Sequence, residues 1–157
     1  MNQIGKFCSI KNNLIDASRN MTKAEVIAKI KGLNLPKGQY IIYGATPLAV
    51  YEIREARDID MFVMSELYKA LEAKGWKKVY KGPKDEPVTS DIFEAHNTWD
   101  FSPYAPTFNE LLSRAIEYEG IMFASLEDVR KWKEASGRPK DLIDLQLIDD
   151  YLKQKLS

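Results

Sequence analysis

The sequence predicts an α/β (α+β) fold: a mixed sheet of four to five strands, flanking helices and a helical C-terminal segment. Short apolar runs of strand length alternate with segments of helical periodicity, and most of those segments begin at capping residues or end at glycine. The length of 157 residues suits one domain. We therefore expect one domain over residues 21–157, helical from about residue 125, after a polar N-terminal extension over residues 1–20.

The first half of the chain alternates helix and strand. Thr22 and Glu25 form a capping box, Gly32 ends the helix that follows, and Pro47 occupies a favourable first helical position. The predicted elements are helix 22–32, strand 39–43, helix 47–54, strand 57–63 and helix 65–75.

The second half continues with shorter strands and ends in helices. Its predicted elements are strands 76–80, 88–95 and 97–101, helix 107–115, a short strand 121–124, helix 125–137 and a last helix that starts at Pro139. The apolar spacing of the last helix predicts that Leu142, Leu145, Ile148 and Leu152 face inward.

The composition excludes some classes of protein and favours others. Lys plus Arg equals Asp plus Glu at 23 each, so no global field attracts the chain to nucleic acid. The single cysteine, Cys8, excludes an intramolecular disulfide and fits a reducing cytoplasm, which is the expected location. No apolar run has the length of a signal sequence or a membrane span, so we expect no membrane partner.

The most informative motif is the pair Asp58 and Asp60, two residues apart in an apolar, strand-like run. Side chains on a strand repeat every second residue, so both carboxylates leave the same face. Adjacent carboxylates repel unless a positive charge lies between them, and Mg²⁺ prefers oxygen ligands and also holds phosphates. The pair therefore predicts a metal site; the alternative is two aspartates that merely face water at a strand edge.

A predicted strand-to-helix turn precedes this pair. Gly44 ends the strand and Thr46-Pro47 begins the helix, whose free backbone amides favour an anion. We expect Gly44, Ala45 and Thr46 to bind phosphate through their amides and the Thr46 hydroxyl. A phosphate site followed by a metal-binding Asp-x-Asp is typical of phosphoryl or nucleotidyl transfer.

Nucleotidyl transfer normally needs a third carboxylate, either as a metal ligand or as a base toward the acceptor hydroxyl. Asp91, Glu94 and Asp100 are available. Asp91 lies inside a β-like run, and a regular strand places Glu94 on the opposite face. We therefore predict Asp91 as the third acid, with Asp100 next.

Cationic residues supply candidate phosphate ligands. Arg57 flanks the acid pair, and Lys133 lies one turn before a predicted helix-to-helix corner. The corner contains Arg138, Lys140, Asp141 and Asp144, which either clamp a triphosphate or pair with one another to fix the corner. The pairing interpretation is favoured for those four residues, and Lys133 is more open to a phosphate role. His96, the only histidine, is interpreted as a loop residue.

These motifs resemble the small nucleotidyltransferases of the polymerase-β-type superfamily. Members carry an apolar strand, a Gly-Gly or Gly-Ser turn, a helix, an Asp-x-Asp strand and a third acid on a later strand. Gly44 matches the first glycine, Asp58 and Asp60 match the acid pair, and Asp91 resembles the third acid. Ala45 stands where the family usually has glycine or serine.

The C-terminal segment adds to the resemblance, which covers about residues 39–150. Residues 124–144 are similar to the C-terminal helices of bacterial members, including antibiotic adenylyltransferases and toxin-type nucleotidyltransferases of abortive-infection systems. The resemblance implies a nucleotidyltransferase fold and Mg²⁺-dependent transfer of a nucleoside monophosphate from a nucleoside triphosphate to an acceptor hydroxyl. The acceptor would be a small molecule, a tRNA or a protein. The alternative is an inactive binding or regulatory module with a protein partner, such as a toxin–antitoxin component.

Overall fold

The computed structural model describes residues 20–156, so the predicted extension lies outside the described part of the chain except for Asn20. The fold is α+β. The helices are α1 (Lys23–Leu33), α2 (Pro47–Val50), α3 (Ser65–Ala73), α4 (Phe108–Arg114), α5 (Leu126–Ser136) and α6 (Pro139–Leu156). The strands are β1 (Tyr40–Tyr43), β2 (Ile59–Val63), β3 (Lys77–Lys78), β4 (Val88–Ser90), β5 (Phe93–His96), β6 (Ile116–Tyr118) and β7 (Ile121–Phe123).

All seven described strands belong to one mixed sheet with the order β3-β4-β5-β2-β1-β7-β6. Strand β2 lies near the centre, antiparallel to β1 and parallel to β5. The parallel pairing places Asp60 opposite Glu94, and the antiparallel pairing places Asp60 opposite Tyr43. The register therefore brings one acid from each of two neighbouring strands to the same point of the sheet.

The prediction of four to five strands was too low. The predicted strand 88–95 is a hairpin of β4 and β5, and the two-residue turn Asp91-Ile92 joins its strands. The chain also forms a β6–β7 hairpin, of which only β7 was predicted. No strand forms over 97–101, where Phe101 makes only an isolated bridge to Tyr104. Helix α2 ends at Val50, not near Arg54.

Alternation along the central strands creates two cores, one on each face of the sheet. Ile42, Ile59 and Met61 pack on one side, in a cluster that includes residues of α1 and α3. Ile41, Tyr43 and Phe62 pack on the other, in a cluster that includes residues of α4, α5 and α6. Since Asp60 pairs with Tyr43 and alternates with Met61, it shares the face covered by α5 and α6.

The buried face of α6 differs from the predicted one. Leu142 is 60% exposed and Leu152 is 39% exposed, whereas Asp141 and Asp144 are buried beside Ile148. Lys133 of α5 and Arg54 of the loop after α2 pair with the buried carboxylates and so stabilise this face. The spacing of apolar residues gives no sign of these ion pairs, so it predicted the wrong face. Within residues 20–156, no helix combines the length and the apolar character that crossing a membrane requires.

Candidate functional site

A cleft of about 620 Å³ opens between the Asp60 face of the sheet, the loop after β3 and the corner between α5 and α6. Its lining carries charges of both signs. The lining includes the acids Asp58, Asp60, Asp85, Glu94, Asp100 and Asp144, and the cations Arg54, Arg57, Lys81, Lys84, Lys133, Arg138 and Lys140. Such a mixture of charges suits a ligand that carries both a metal ion and phosphate groups.

Both residues of the Asp-x-Asp motif line this cleft. Asp58 is exposed just before β2, and Asp60 is half-buried within the strand. Thr46 fixes the backbone of both residues: its hydroxyl donates to the Asp58 carbonyl oxygen at 3.0 Å and accepts from the Asp60 amide at 3.2 Å. Thr46 is only 1% exposed and does not line the cleft, so its hydroxyl acts as a backbone support, and its phosphate role stays a prediction.

Gly44 lies directly beneath the Asp60 carboxyl group. Its φ of +66° belongs to the left-handed region, and a Cβ at this position would lie 2.3 Å from Asp60 Oδ2 and 2.8 Å from Asp60 Cβ. Glycine is therefore needed for the turn and for the close approach of Asp60. Ala45 also lines the cleft, next to this turn.

The acid that lies beside Asp60 on the neighbouring strand is Glu94, not Asp91. Asp91 lies in the β4–β5 turn with a φ of +52°, a conformation that aspartate tolerates better than most residues, and it does not line the cleft. The turn restarts the alternation, so Glu94 lies on the Asp60 face. Asp100 lines the cleft but binds the amide and hydroxyl of Ser102.

The carboxyl groups of Asp60 and Glu94 interact, and each affects the pKa of the other. Burial raises the pKa of Asp60 well above its usual range, and the neighbouring carboxyl groups of Glu94 and Asp58 raise it further. Burial also tends to raise the pKa of Glu94, but hydrogen bonds with Lys81 and Asp60 outweigh this effect and lower it. The two carboxyl groups therefore shift in opposite directions, and the charge of Glu94 is balanced by an ion pair with Lys81.

His96 is a cleft residue that the sequence analysis interpreted as a loop residue. It ends β5 two residues after Glu94, and its Nδ1 lies 3.3 Å from Asp85 Oδ1. Its ring packs edge-on against Trp99 at a centroid distance of 5.0 Å. Burial lowers the pKa of His96, although the Glu94 and Asp85 carboxylates oppose this. The sequence signal for His96 is its i, i+2 spacing from Glu94, which places both side chains on one face of a strand. Recognising it requires a turn at Asp91 and a new strand after it, instead of one strand over 88–95.

Lys133 does not offer a free ammonium to the cleft. It is 1% exposed, and its Nζ lies 2.7 Å from Asp144 Oδ2 and 3.2 Å from Asp141 Oδ1. Arg54 makes two hydrogen bonds to Asp144, and Arg138 makes two side-chain hydrogen bonds to Asp141. Lys133 is therefore the centre of a buried ion network that fixes the α5–α6 corner, and its phosphate role stays a prediction.

Two cations of the cleft remain available to a ligand. Arg57 and Lys140 are exposed at its rim, and neither forms an ion pair with any residue between 20 and 156. Arg138 is 44% exposed although it pairs with Asp141. In the buried network, Arg54, Lys133 and Arg138 outnumber Asp141 and Asp144 by three charges to two, so the corner presents a net positive charge to the cleft.

The structure thus places Ala45, Arg57, Asp58, Asp60 and Lys133 at one cleft and adds Glu94 and His96. Gly44, Thr46 and Asp91 do not line it. Comparison with protein-family models, with curated proteins and with solved structures found no match to this chain.

Proposed function

We propose that this protein is a Mg²⁺-dependent nucleotidyltransferase that transfers a nucleoside monophosphate from a nucleoside triphosphate to an acceptor hydroxyl. One observation carries the proposal: Asp60 of β2 lies opposite Glu94 of the parallel strand β5, and Asp58 lines the same cleft. Three carboxylates from two neighbouring strands, facing a cationic wall, fit the requirements of metal-assisted nucleotidyl transfer. The nucleotidyltransferase fold itself is part of this proposal.

The residues present fit a magnesium ion. Asp58 and Asp60 would hold Mg²⁺ through carboxylate oxygens, its preferred ligands, and Glu94 would complete the acidic site. The bound ion would neutralise charge on the phosphates and orient them for in-line attack.

The remaining residues would bind the nucleotide. Arg57 and Lys140 would contact the triphosphate, together with the exposed edge of Arg138. Ala45, which lines the cleft, would approach the phosphates through its backbone, and Gly44 would provide the turn before it. Thr46 and Lys133 would act indirectly, by holding the acid pair and the cationic corner in place.

A second function is favoured by the charge balance of the site. Glu94 pairs with Lys81, so one carboxylate of the candidate metal site already has a cationic partner without a metal. This arrangement suits a module that has kept the fold and lost catalysis, such as one component of a toxin–antitoxin pair with a protein partner.

Transfer of an α-³²P-labelled nucleotide separates the two functions. Each nucleoside triphosphate is incubated with Mg²⁺ and one acceptor class at a time: bulk tRNA, an aminoglycoside or a protein mixture. We expect label to be transferred to one class by the unmodified protein, and Glu94→Gln to lower the rate about 100-fold or more because a carboxylate of the metal site is lost.

Asp91→Asn is the matched control, since it removes an acid from the same hairpin but outside the cleft, and it should retain the rate. A rate that Asp91→Asn abolishes and Glu94→Gln leaves intact would reverse the assignment of the third acid. Absence of transfer to all three classes, with no nucleotide binding, would favour the inactive module.

A further inference from the structure

Three side chains in the cleft form a cluster with mixed ligand chemistry. One oxygen each from Asp60 and Glu94 and one ring nitrogen of His96 all lie within 4.8 Å of one another. Their positions follow from the sheet, because Asp60 lies opposite Glu94, and His96 follows two residues later on the same face of β5. Asp58 is not part of this group, although it lines the same cleft.

The imidazole changes which ion the cluster suits. Mg²⁺ is a hard ion that binds oxygen and retains several waters, whereas imidazole nitrogen suits Fe²⁺, Ni²⁺ and Zn²⁺. Mn²⁺ shares the carboxylate preference of Mg²⁺ and stands at the start of that transition-metal series. We propose that Asp60, Glu94 and His96 form a binding site for a divalent transition-metal ion, represented by Mn²⁺, beside the Asp58–Asp60 position expected to hold the nucleotide's Mg²⁺.

The surroundings of His96 support a ligand role. Asp85 lies 3.3 Å from Nδ1, and a carboxylate on one ring nitrogen is the usual partner of a histidine that binds a metal through the other. Trp99 packs edge-on against the ring at 5.0 Å and restricts its rotation. The His96 side chain is only 12% exposed, so the ring is already held at the cleft and loses little freedom when an ion binds.

Lys81 is the competitor for this site. Its ammonium pairs with Glu94, and an incoming divalent ion would displace it. A divalent ion with three protein ligands attracts these carboxylates more strongly than one ammonium does. Removing the Lys81 charge should therefore strengthen ion binding, which distinguishes a metal site from an ordinary ion-paired cluster.

The catalytic use of this ion rests on the proposed function, but its binding needs no nucleotide. Asp60 belongs to both positions, which fits two-metal sites, where the ions lie about 3.5–4 Å apart and share a ligand. Because Asp58 serves only one position and His96 only the other, the two can be tested separately.

The test titrates Mn²⁺ alone into the full chain, with free Mn²⁺ measured by electron paramagnetic resonance. His96→Gln should weaken binding by about 10- to 100-fold. Asp58→Asn should change it by less than about threefold, and Lys81→Gln should tighten it by more than about threefold. Mg²⁺ should compete weakly, and Asp91→Asn, whose carboxyl lies outside the cleft, should bind like the unmodified protein.

Pulsed resonance on the Mn²⁺-loaded unmodified protein gives a second measurement that depends on no variant. Coupling to one imidazole ¹⁴N nucleus is the expected result, and a spectrum without nitrogen coupling would overturn the inference. Binding that Asp58→Asn abolishes and His96→Gln leaves intact would also overturn it, while leaving the Mg²⁺-dependent function in place. Failure of Mn²⁺ to bind at all would contradict the site directly.

Discussion

Lys133→Met is expected to destabilise the protein by about 3 kcal/mol, because it leaves two buried carboxylates without their shared cation. Lys133 is 1% exposed and lies within ion-pair distance of Asp141 and Asp144. Arg54 would still pair with Asp144, and Arg138 would still pair with Asp141. The loss of stability should therefore lie near the lower end of the range of about 3–5 kcal/mol that is typical when a buried ion pair is broken. Thermal unfolding should show a fall in Tm of roughly 10 °C.

Lys131→Met is the control, since it removes a lysine two residues away on the same helix. Lys131 is 54% exposed and pairs only with Glu127, so its loss should change stability by less than about 0.5 kcal/mol. If Lys133→Met melts like the unmodified protein but loses affinity for nucleotide, the phosphate role predicted from the sequence would be restored and the buried-network interpretation would be wrong.

Gly44→Ala is expected to cost about 2–4 kcal/mol and to displace the Asp60 carboxyl group. Two causes add: a left-handed φ of +66° strains a residue with a Cβ, and the new methyl group would lie 2.8 Å from Asp60 Cβ. Asp60 Cβ is fixed by the strand, so rotation of the carboxylate alone does not relieve the contact. Denaturant unfolding measures the loss, and Mg²⁺-dependent nucleotide binding should fall with it.

Gly32→Ala provides the matched comparison. Gly32 lies within α1 and has no positive φ, and a Cβ at this position would meet no neighbouring atom within 4 Å. Alanine should therefore be neutral or stabilise the helix by up to about 1 kcal/mol. Equal stability of the Gly44→Ala and Gly32→Ala variants would show that the position of Asp60 does not require a glycine at residue 44.

The sequence predicted those parts of the site that depend on local spacing. The i, i+2 relation of Asp58 and Asp60 leads directly to two acids that line one cleft, and the glycine before the helix leads to the turn on which Asp60 packs. The third acid depends on where one strand ends and the next begins. A single strand over 88–95 would place the Asp91 side chain on the same face of the sheet as Asp60. The turn at Asp91 divides that strand in two, so Glu94 lies on the Asp60 face instead.

The fold could be predicted only in outline for a related reason. Two- and three-residue strands such as β3 and β6 are stabilised by their neighbours in the sheet and have almost no periodicity of their own. The buried side of α6 carries Asp141 and Asp144, because Lys133 and the two arginines neutralise them. Pairings between residues that are distant along the chain, such as Arg54 with Asp144, leave no local signal.

The central claim is that the acids of the cleft bind nucleotide through a metal ion, and calorimetric titration of a nucleoside triphosphate with and without Mg²⁺ tests it most directly. The account predicts binding only with Mg²⁺, its loss in both Asp58→Asn and Asp60→Asn with the fold retained, and its preservation in Asp91→Asn. Binding of equal strength without Mg²⁺, or in the Asp58→Asn and Asp60→Asn variants, would contradict the account.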